Sequence, residues 1–273
     1  MRWFISVKSY GDFIIASNAL RTNGSHSDAL LCGSHLRPLM TAIDYKGNIE
    51  WLETGGDGVP AFFDVRKFGI LSAIASGVTL HRLINEHVAA NDLLVFDRLG
   101  WRQNFLAGLK PKAHIATGKT NIYLDYEQFL SRDVNNRVEL PVKNVTKIGI
   151  FPDSRLAKKQ LDPTLVSRIF HDLIKLGCDP QVVYVGSNPT RLGINNSVVN
   201  GFDALIDRVR DFDIIISADS LPAHLAEYFE KPVFVISPVN NNYWLPKSAF
   251  LNDRFSLFCD VRKCTDWVAD LRR

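Results

Sequence analysis

No stretch of this 273-residue sequence approaches the roughly 20 consecutive apolar residues that a membrane-crossing helix requires. The opening MRWFISVKSYGDFIIAS has neither the longer apolar stretch nor the small-residue cleavage site of a secretory signal. A cytoplasmic location is therefore expected, with peripheral contact at the inner face of the inner membrane as the membrane role left open. Dense Lys/Arg runs are missing too, and the net charge of +3 is mild, which argues against a nucleic-acid partner. The four cysteines, Cys32, Cys178, Cys259 and Cys264, are scattered without a CxxC pair. Buried free thiols are expected, not a structural zinc site. Low-complexity tracts and short-period repeats are absent.

What is present is the composition of a globular protein, 46% hydrophobic and 22% charged, with enough apolar side chains for a core. The length suits one large domain or two ordinary ones. In the first half, Arg2 to Lys8 alternates as a strand, Ser9-Tyr10-Gly11-Asp12 follows, and Phe13 to Arg21 reads as a helix, the opening of a βαβ unit. Asp28 to Cys32, Leu93 to Asp97 and Lys112 to Ala116 are further strand candidates, and Val65 to His87 and Tyr123 to Leu130 are helical. Ser131 to Lys147 is polar and reads as a linker.

The second half is sharper. Lys147 to Phe151 (KIGIF) is a buried strand. Asp162 and Pro163 suit the N-cap and first position of a helix that ends at Leu176, with Gly177 just past its end. Strands at Gln181–Val185, Ile214–Ser217 and Pro232–Ser237 alternate with helices at Phe202–Arg210 and Pro222–Phe229. Such alternation predicts parallel sheets with ligands at the carboxyl ends of their strands. The expected division is residues 1–140, residues 141–260, and a terminal helix over 261–273 packing back on the first domain.

Three loops at those strand ends carry candidate chemistry. Asp219-Ser220 followed by Leu221-Pro222 opens a helix whose free N–H groups suit a diphosphate, with His224 in its first turn; an ordinary helix capped by Ser220 or Asp219 is the plainer reading. Of the seven histidines only His224 falls in a motif. Phe151 to Pro163 brings Ser154, Arg155, Lys158 and Lys159 to the same edge, where a cation stabilises charge on a departing diphosphate, or forms a solvated basic loop. Asp12 is placed to act as a general base, or only to answer the helix dipole. Gly186 and Ser187 follow a strand and either line a nucleotide pocket or make a plain turn. The Asn240–Trp244 loop either contacts base or acceptor or joins the domains, and the basic C-terminus either meets anionic lipid or is solvated.

Taken together, Phe202–Ile206, Asp213–Ser217, Asp219-Ser220, His224-Leu225-Ala226 and Lys231-Pro232 resemble the C-terminal signature of glycosyltransferase family 9, which includes the ADP-heptose:lipopolysaccharide heptosyltransferases. Ser9-Tyr10-Gly11-Asp12 resembles the family's Gly-Asp turn, and Lys159–Pro163 its Lys-x-Trp-Pro stretch. Leu221 stands where the family has glycine, and Leu161 where it has tryptophan.

The resemblance implies a GT-B fold, two Rossmann-like domains with parallel sheets facing a central cleft. It implies an acceptor-binding first domain, a nucleotide-sugar-binding second, and a metal-independent inverting transfer of a sugar, heptose by family majority, to a saccharide or lipid-linked saccharide acceptor of lipopolysaccharide or another surface glycan. Asp12 would be the base. Ser154, Arg155, Lys159, Asp219, Ser220, Leu221 and His224 would hold the donor, with Gly186 and Ser187 at its nucleotide. No cofactor is implied beyond the donor itself, ADP-linked by resemblance. A GT-B nucleotide-sugar epimerase and a non-catalytic nucleotide-sugar-binding relative are the alternatives; Leu221 favours the latter. Asp211-Phe212-Asp213 matches the Asp-x-Asp text of metal-dependent transferases, but its place between a helix end and a strand start puts it at the amino edge.

Overall fold

The computed structural model describes residues 1–55, 58–130, 145–186 and 194–272. The chain divides into two units, Met1–Gly118 with Ile122–Asp133, and Lys119–Asn121 with Val134–Arg273. The linker expected over Ser131–Lys147 lies outside the described residues as far as position 144; beyond it Val145 is buried and Lys147 already begins a strand.

The first unit contains, in order, β1 (Arg2–Ser6), α1 (Tyr10–Asn23), β2 (Asp28–Gly33), α2 (Arg37–Ala42), β3 (Ile49–Leu52), α3 (Val65–Phe68), α4 (Ile70–His87), β4 (Leu93–Phe96), α5 (Trp101–Ala107), β5 (Lys112–His114) and α6 (Ile122–Phe129). Its strands pair in parallel in the order β3-β2-β1-β4-β5. Side chains alternate across a strand, so Trp3, Leu31, Leu94 and Phe96 pack on Leu80 and Ile84 of α4 and Leu106 of α5. On the opposite face Phe4 meets Tyr126 and Phe129 of α6. The expected helix over Val65–His87 is two helices, because Gly69 lies between them at a φ of 83°, a conformation that glycine adopts without a Cβ clash.

The second unit contains β6 (Lys147–Phe151), α7 (Pro163–Lys175), β7 (Asp179–Val185), β8 (Asn196–Val199), α8 (Phe202–Asp211), β9 (Ile214–Ala218), α9 (Leu221–Tyr228), β10 (Val233–Ser237), α10 (Lys247–Leu251), β11 (Phe255–Leu257) and α11 (Arg262–Leu271). Its parallel order is β11-β10-β9-β6-β7-β8. Asp162 caps α7 by accepting from Thr164 N at 2.8 Å, and Gly177 has the positive φ of 72° that the chain reversal needs. Gly149 sits mid-strand because the Phe212 ring lies on it; a Cβ there would come within 2.4 Å of that ring.

Ile148, Ile150, Ile214, Ile216 and Ile236 form one face of the second core, closed by Ile169 and Leu173 of α7 and by Cys264 and Val268 of α11. The terminal helix α11 packs into this core. It belongs to the second unit, because Cys264 and Val268 are fully buried there, and burying an aliphatic side chain is worth about 1.5–3 kcal/mol.

Both units have the doubly wound order. In the first, the chain leaves β1 in one direction and β4 in the other; in the second, β6 and β9 play those parts. A crevice opens outside the carboxyl ends at such a reversal, so these two points are where each unit's chemistry is expected.

Candidate active site

In the second unit, Phe151 is in register with Ser217, so the loops leaving β6 and β9 run side by side. The loop after β6 is closed at its base: Leu161 N donates to Pro152 O at 2.9 Å, and the Leu161 side chain is buried in the core. Inside it, Ala157–Lys159 form a turn of 3-10 helix, and Gln160 Nε2 donates to Ser154 O at 3.2 Å. This loop holds Lys159 toward the β9 loop, where its Nζ donates to Asp219 Oδ2 at 2.6 Å. Asp219 is buried and Lys159 half-buried. The β6/β9 reversal thus carries a lysine ammonium held against a buried carboxylate.

Beside this pair α9 begins. Ser220 occupies its N-cap position without capping it; the hydroxyl donates to Ala218 O at 3.4 Å. Asp219 does not cap it either, since its carboxylate is turned to Lys159. Among the described residues no side-chain hydrogen bond caps the start of α9, and its first turn holds no acid. Pro222 has no N–H to offer, and His224 is buried with most of the helix. Across the sheet, Asp153 Oδ2 accepts from Val185 N at 2.7 Å, tying the β6 loop to the end of β7. Gly186, next along, has a φ of 66° with open space where a Cβ would stand. Ser187 lies outside the described residues.

In the first unit, Asp12 is in the first turn of α1. Ser9 is the N-cap, its Oγ accepting from Asp12 N at 3.2 Å, so Gly11 is part of the helix and not of a turn. The half-buried Asp12 carboxylate has a neighbour in Asp97, the residue just past β4. Tyr126 Oη donates to Asp97 Oδ1 at 2.6 Å, and its ring is stacked on Phe4 with centroids 6.2 Å apart. Burial, and after it the charge of Asp12, pushes the Asp97 carboxyl up from 3.8 to about 7; the Tyr126 hydrogen bond and the charges of Lys8 and Arg98 act the other way. Burial and the same carboxylate push the Tyr126 phenol well above its ordinary value. The β1/β4 reversal therefore carries two carboxyl groups whose charges repel.

His35, after β2, is buried edge-on to Tyr10 with centroids 6.1 Å apart, and among the described residues neither ring nitrogen meets a hydrogen-bond partner. Burial lowers its pKa and favours the neutral ring.

No family model and no curated protein matches the sequence. Solved structures do match. E. coli ADP-heptose lps heptosyltransferase II aligns with a TM-score of 0.60 at 13% identity, covering 99% of this chain and 98% of its own. E. coli heptosyltransferase WaaC with ADP aligns with a TM-score of 0.64 at 10% identity, covering 99% and 100%. A glycosyl transferase family 9 protein from Veillonella parvula DSM 2008 gives 0.61 at 13% identity, covering 94% and 86%. The chain has the heptosyltransferase fold.

On that fold, the residues singled out in the sequence fare unequally. Lys159 and Asp219 are brought together, 60 positions apart in the chain. Ser220 and Leu221 stand beside them at the start of α9. Arg155 is exposed and, among the described residues, forms no ion pair, and the Ser154 hydroxyl accepts from its own loop at Leu156 N, 3.4 Å away. Lys231, part of the motif that resembled family 9, closes the end of α8 by donating to Arg210 O and Phe212 O at 2.6 and 2.9 Å. Asp213 serves the amino edge: its carboxylate accepts from the N–H groups of Thr146 and Lys147 at 2.9 and 2.8 Å. Burial opposes its ionised form, but those bonds outweigh burial and hold its pKa below the ordinary range. Among the described residues no group of three or more His, Cys, Asp or Glu is placed to share a metal ion.

Asp97, Asp153 and His35 were not singled out from the sequence. For Asp97 a signal existed: it ends the short apolar strand LLVF, the same pattern of strand then acid that marks Asp219. His35 had none.

Proposed function

We propose that this protein is an inverting glycosyltransferase that moves a sugar from a nucleotide-diphosphate donor to a saccharide or lipid-linked saccharide of a surface glycan such as lipopolysaccharide. The observation that carries this reading is the Lys159–Asp219 pair, set at the β6/β9 reversal beside the uncapped start of α9. Lysine and helix dipole together favour a diphosphate there and stabilise the charge it acquires on leaving. The solved heptosyltransferase structure with bound ADP supports an ADP-linked donor as the first to test.

In the reaction, Asp12 accepts the proton of the acceptor hydroxyl. The oxygen forms its bond to the anomeric carbon while the bond from that carbon to the diphosphate oxygen breaks, and the electron pair leaves with the diphosphate. Attack opposite the leaving group inverts the anomeric centre. Lys159 neutralises the leaving group, so the assigned residues supply base and charge stabilisation without a divalent metal. Burial and the charge of Asp12 raise the Asp97 carboxyl to about 7, which limits the negative charge beside Asp12 below that pH.

The test starts with thermal shifts against ADP-, UDP-, GDP- and CMP-linked sugars, since a ligand that binds the folded state raises its stability by mass action. With the donor that binds, Asp12→Ala is expected to keep donor affinity and lose about 100-fold or more in turnover, while the parent works with chelator present. Full turnover in Asp12→Ala removes Asp12 as base. Conversion of donor without acceptor makes the protein an epimerase, and tight binding without turnover makes it a non-catalytic relative.

A further inference from the structure

An exposed helix of a soluble domain normally turns charged residues to solvent. The first half of α4 does not. From Phe68 to His81 the chain carries no Asp, Glu, Lys or Arg, yet Ile70, Leu71, Ile74 and Val78 project outward, with Leu71 84% exposed and Ile70 69%. Trp101, at the start of α5, lies next to them and is itself 68% exposed. Between the two helices is a groove of about 380 Å³ whose walls are wholly apolar. Phe62 forms its floor, seated against α4 at Gly77, where a Cβ would come within 2.6 Å of the ring. Phe62 also packs edge-on to Trp101 with centroids 5.7 Å apart.

The rim of this face is cationic. Arg66 and Lys67 precede it on α3, the Lys67 ammonium 5.0 Å from the Phe68 ring. Arg102 lies over both Trp101 and Phe62, at 5.0 and 5.9 Å. The one acid of α3's entry, Asp64, spends its carboxylate capping α3 at Lys67 N. Apolar side chains with an exposed tryptophan inside a cationic rim are the arrangement that settles into the headgroup boundary of a bilayer. A second copy docking the same face would bring its own Arg66, Lys67 and Arg102 against these cations, since a two-fold contact presents the same patch from both sides. The basic C-terminus, by contrast, is occupied: Lys263 pairs with Asp253 at 2.7 Å, and Arg272 Nη1 donates to Cys178 Sγ at 3.1 Å.

We infer that the α3–α4–α5 face of the first unit is a docking surface for an anionic lipid bilayer. Leu71, Ile74 and Trp101 enter the acyl boundary, and Arg66, Lys67 and Arg102 hold lipid headgroups. The inference does not depend on the transferase reading, and its test uses no substrate.

The full chain is floated with vesicles of phosphatidylcholine alone and of phosphatidylcholine mixed equally with phosphatidylglycerol. Binding is expected to the mixture, weakened by added salt, and much less to phosphatidylcholine. Leu71→Glu and Ile74→Glu are each expected to weaken it about tenfold or more, because each replaces an apolar side chain in the acyl boundary with a charge. Lys67→Glu should lower binding to the anionic vesicles only. Circular dichroism and the melting temperature separate loss of binding from loss of fold. The inference is overturned if the parent does not float with the mixture, or if Leu71→Glu floats as the parent does. It is equally overturned if lipid-free protein is a dimer that Leu71→Glu dissociates, which would give the face to a second copy.

Discussion

Replacing Asp97 by Asn probes the paired carboxyls of the first unit through stability alone. The Asn oxygen can still accept from Tyr126, so the hydrogen bond measured at 2.6 Å is kept while the charge is removed. With its carboxyl raised to about 7, Asp97 keeps its proton in the folded state at pH values where the unfolded chain has released it. Folded protein then binds more protons than unfolded protein between about pH 4 and about pH 7, and stability falls as pH rises through that window. The contribution is intact below the unfolded value and fully lost above the folded one. The rise from 3.8 to about 7 corresponds to a ceiling of about 4 kcal/mol, reduced here because Asp97 is partly exposed. Urea unfolding of parent and Asp97→Asn, at about pH 5 and about pH 8, is therefore expected to show the variant gaining about 2 kcal/mol over the parent between the two. Parallel behaviour at both pH values would mean that Asp97 is already ionised at the lower one, and the repelling-carboxyl account of this edge would fail.

Two further outcomes follow from the same geometry. Lys159→Met keeps the bulk of the side chain but removes the ammonium at the β6/β9 reversal, and is expected to weaken donor binding about 10- to 100-fold, the worth of a hydrogen bond to a charged group; unchanged affinity by calorimetry would place the phosphates elsewhere. Asp28→Asn breaks the fork in which Arg2 Nε and Nη2 meet the carboxylate at 2.6 and 2.8 Å with Asp28 almost wholly buried. Burial works against the ionised form, yet Arg2 and Ser25 outweigh it and lower the Asp28 pKa. The variant should lose about 3 kcal/mol at neutral pH, and the gap should close as pH falls through the folded value, below about 4. A gap of constant size on acidification would show that the fork holds no charge-dependent stability.

Much of the second unit is legible from local signals. KIGIF is a strand by its apolar run, and Asp162-Pro163 and Gly177 mark the two ends of α7 because caps and left-handed turns are made by neighbours in the chain. The segments that escape sequence reading are short or half-polar. β3 (IEWL) and β8 (NSVV) lie at sheet edges with little to bury, and β11 is three residues long, so periodicity has no length over which to register. The terminal helix is visible in the sequence, but the core it joins is not.

Residue type and position after a strand were enough to nominate Asp12, Lys159 and Asp219, because an acid or a lysine at a strand's carboxyl end is a local feature. Which of them meet is not local. Asp97 finds Tyr126 29 positions on, and Lys159 finds Asp219 only because β6 and β9 become neighbours in the sheet. The open apolar face of α4 is the same kind of fact. The sequence carries its hydrophobic side chains, and only the packing of the sheet, Phe62 and α5 decides which are covered and which are left to the solvent.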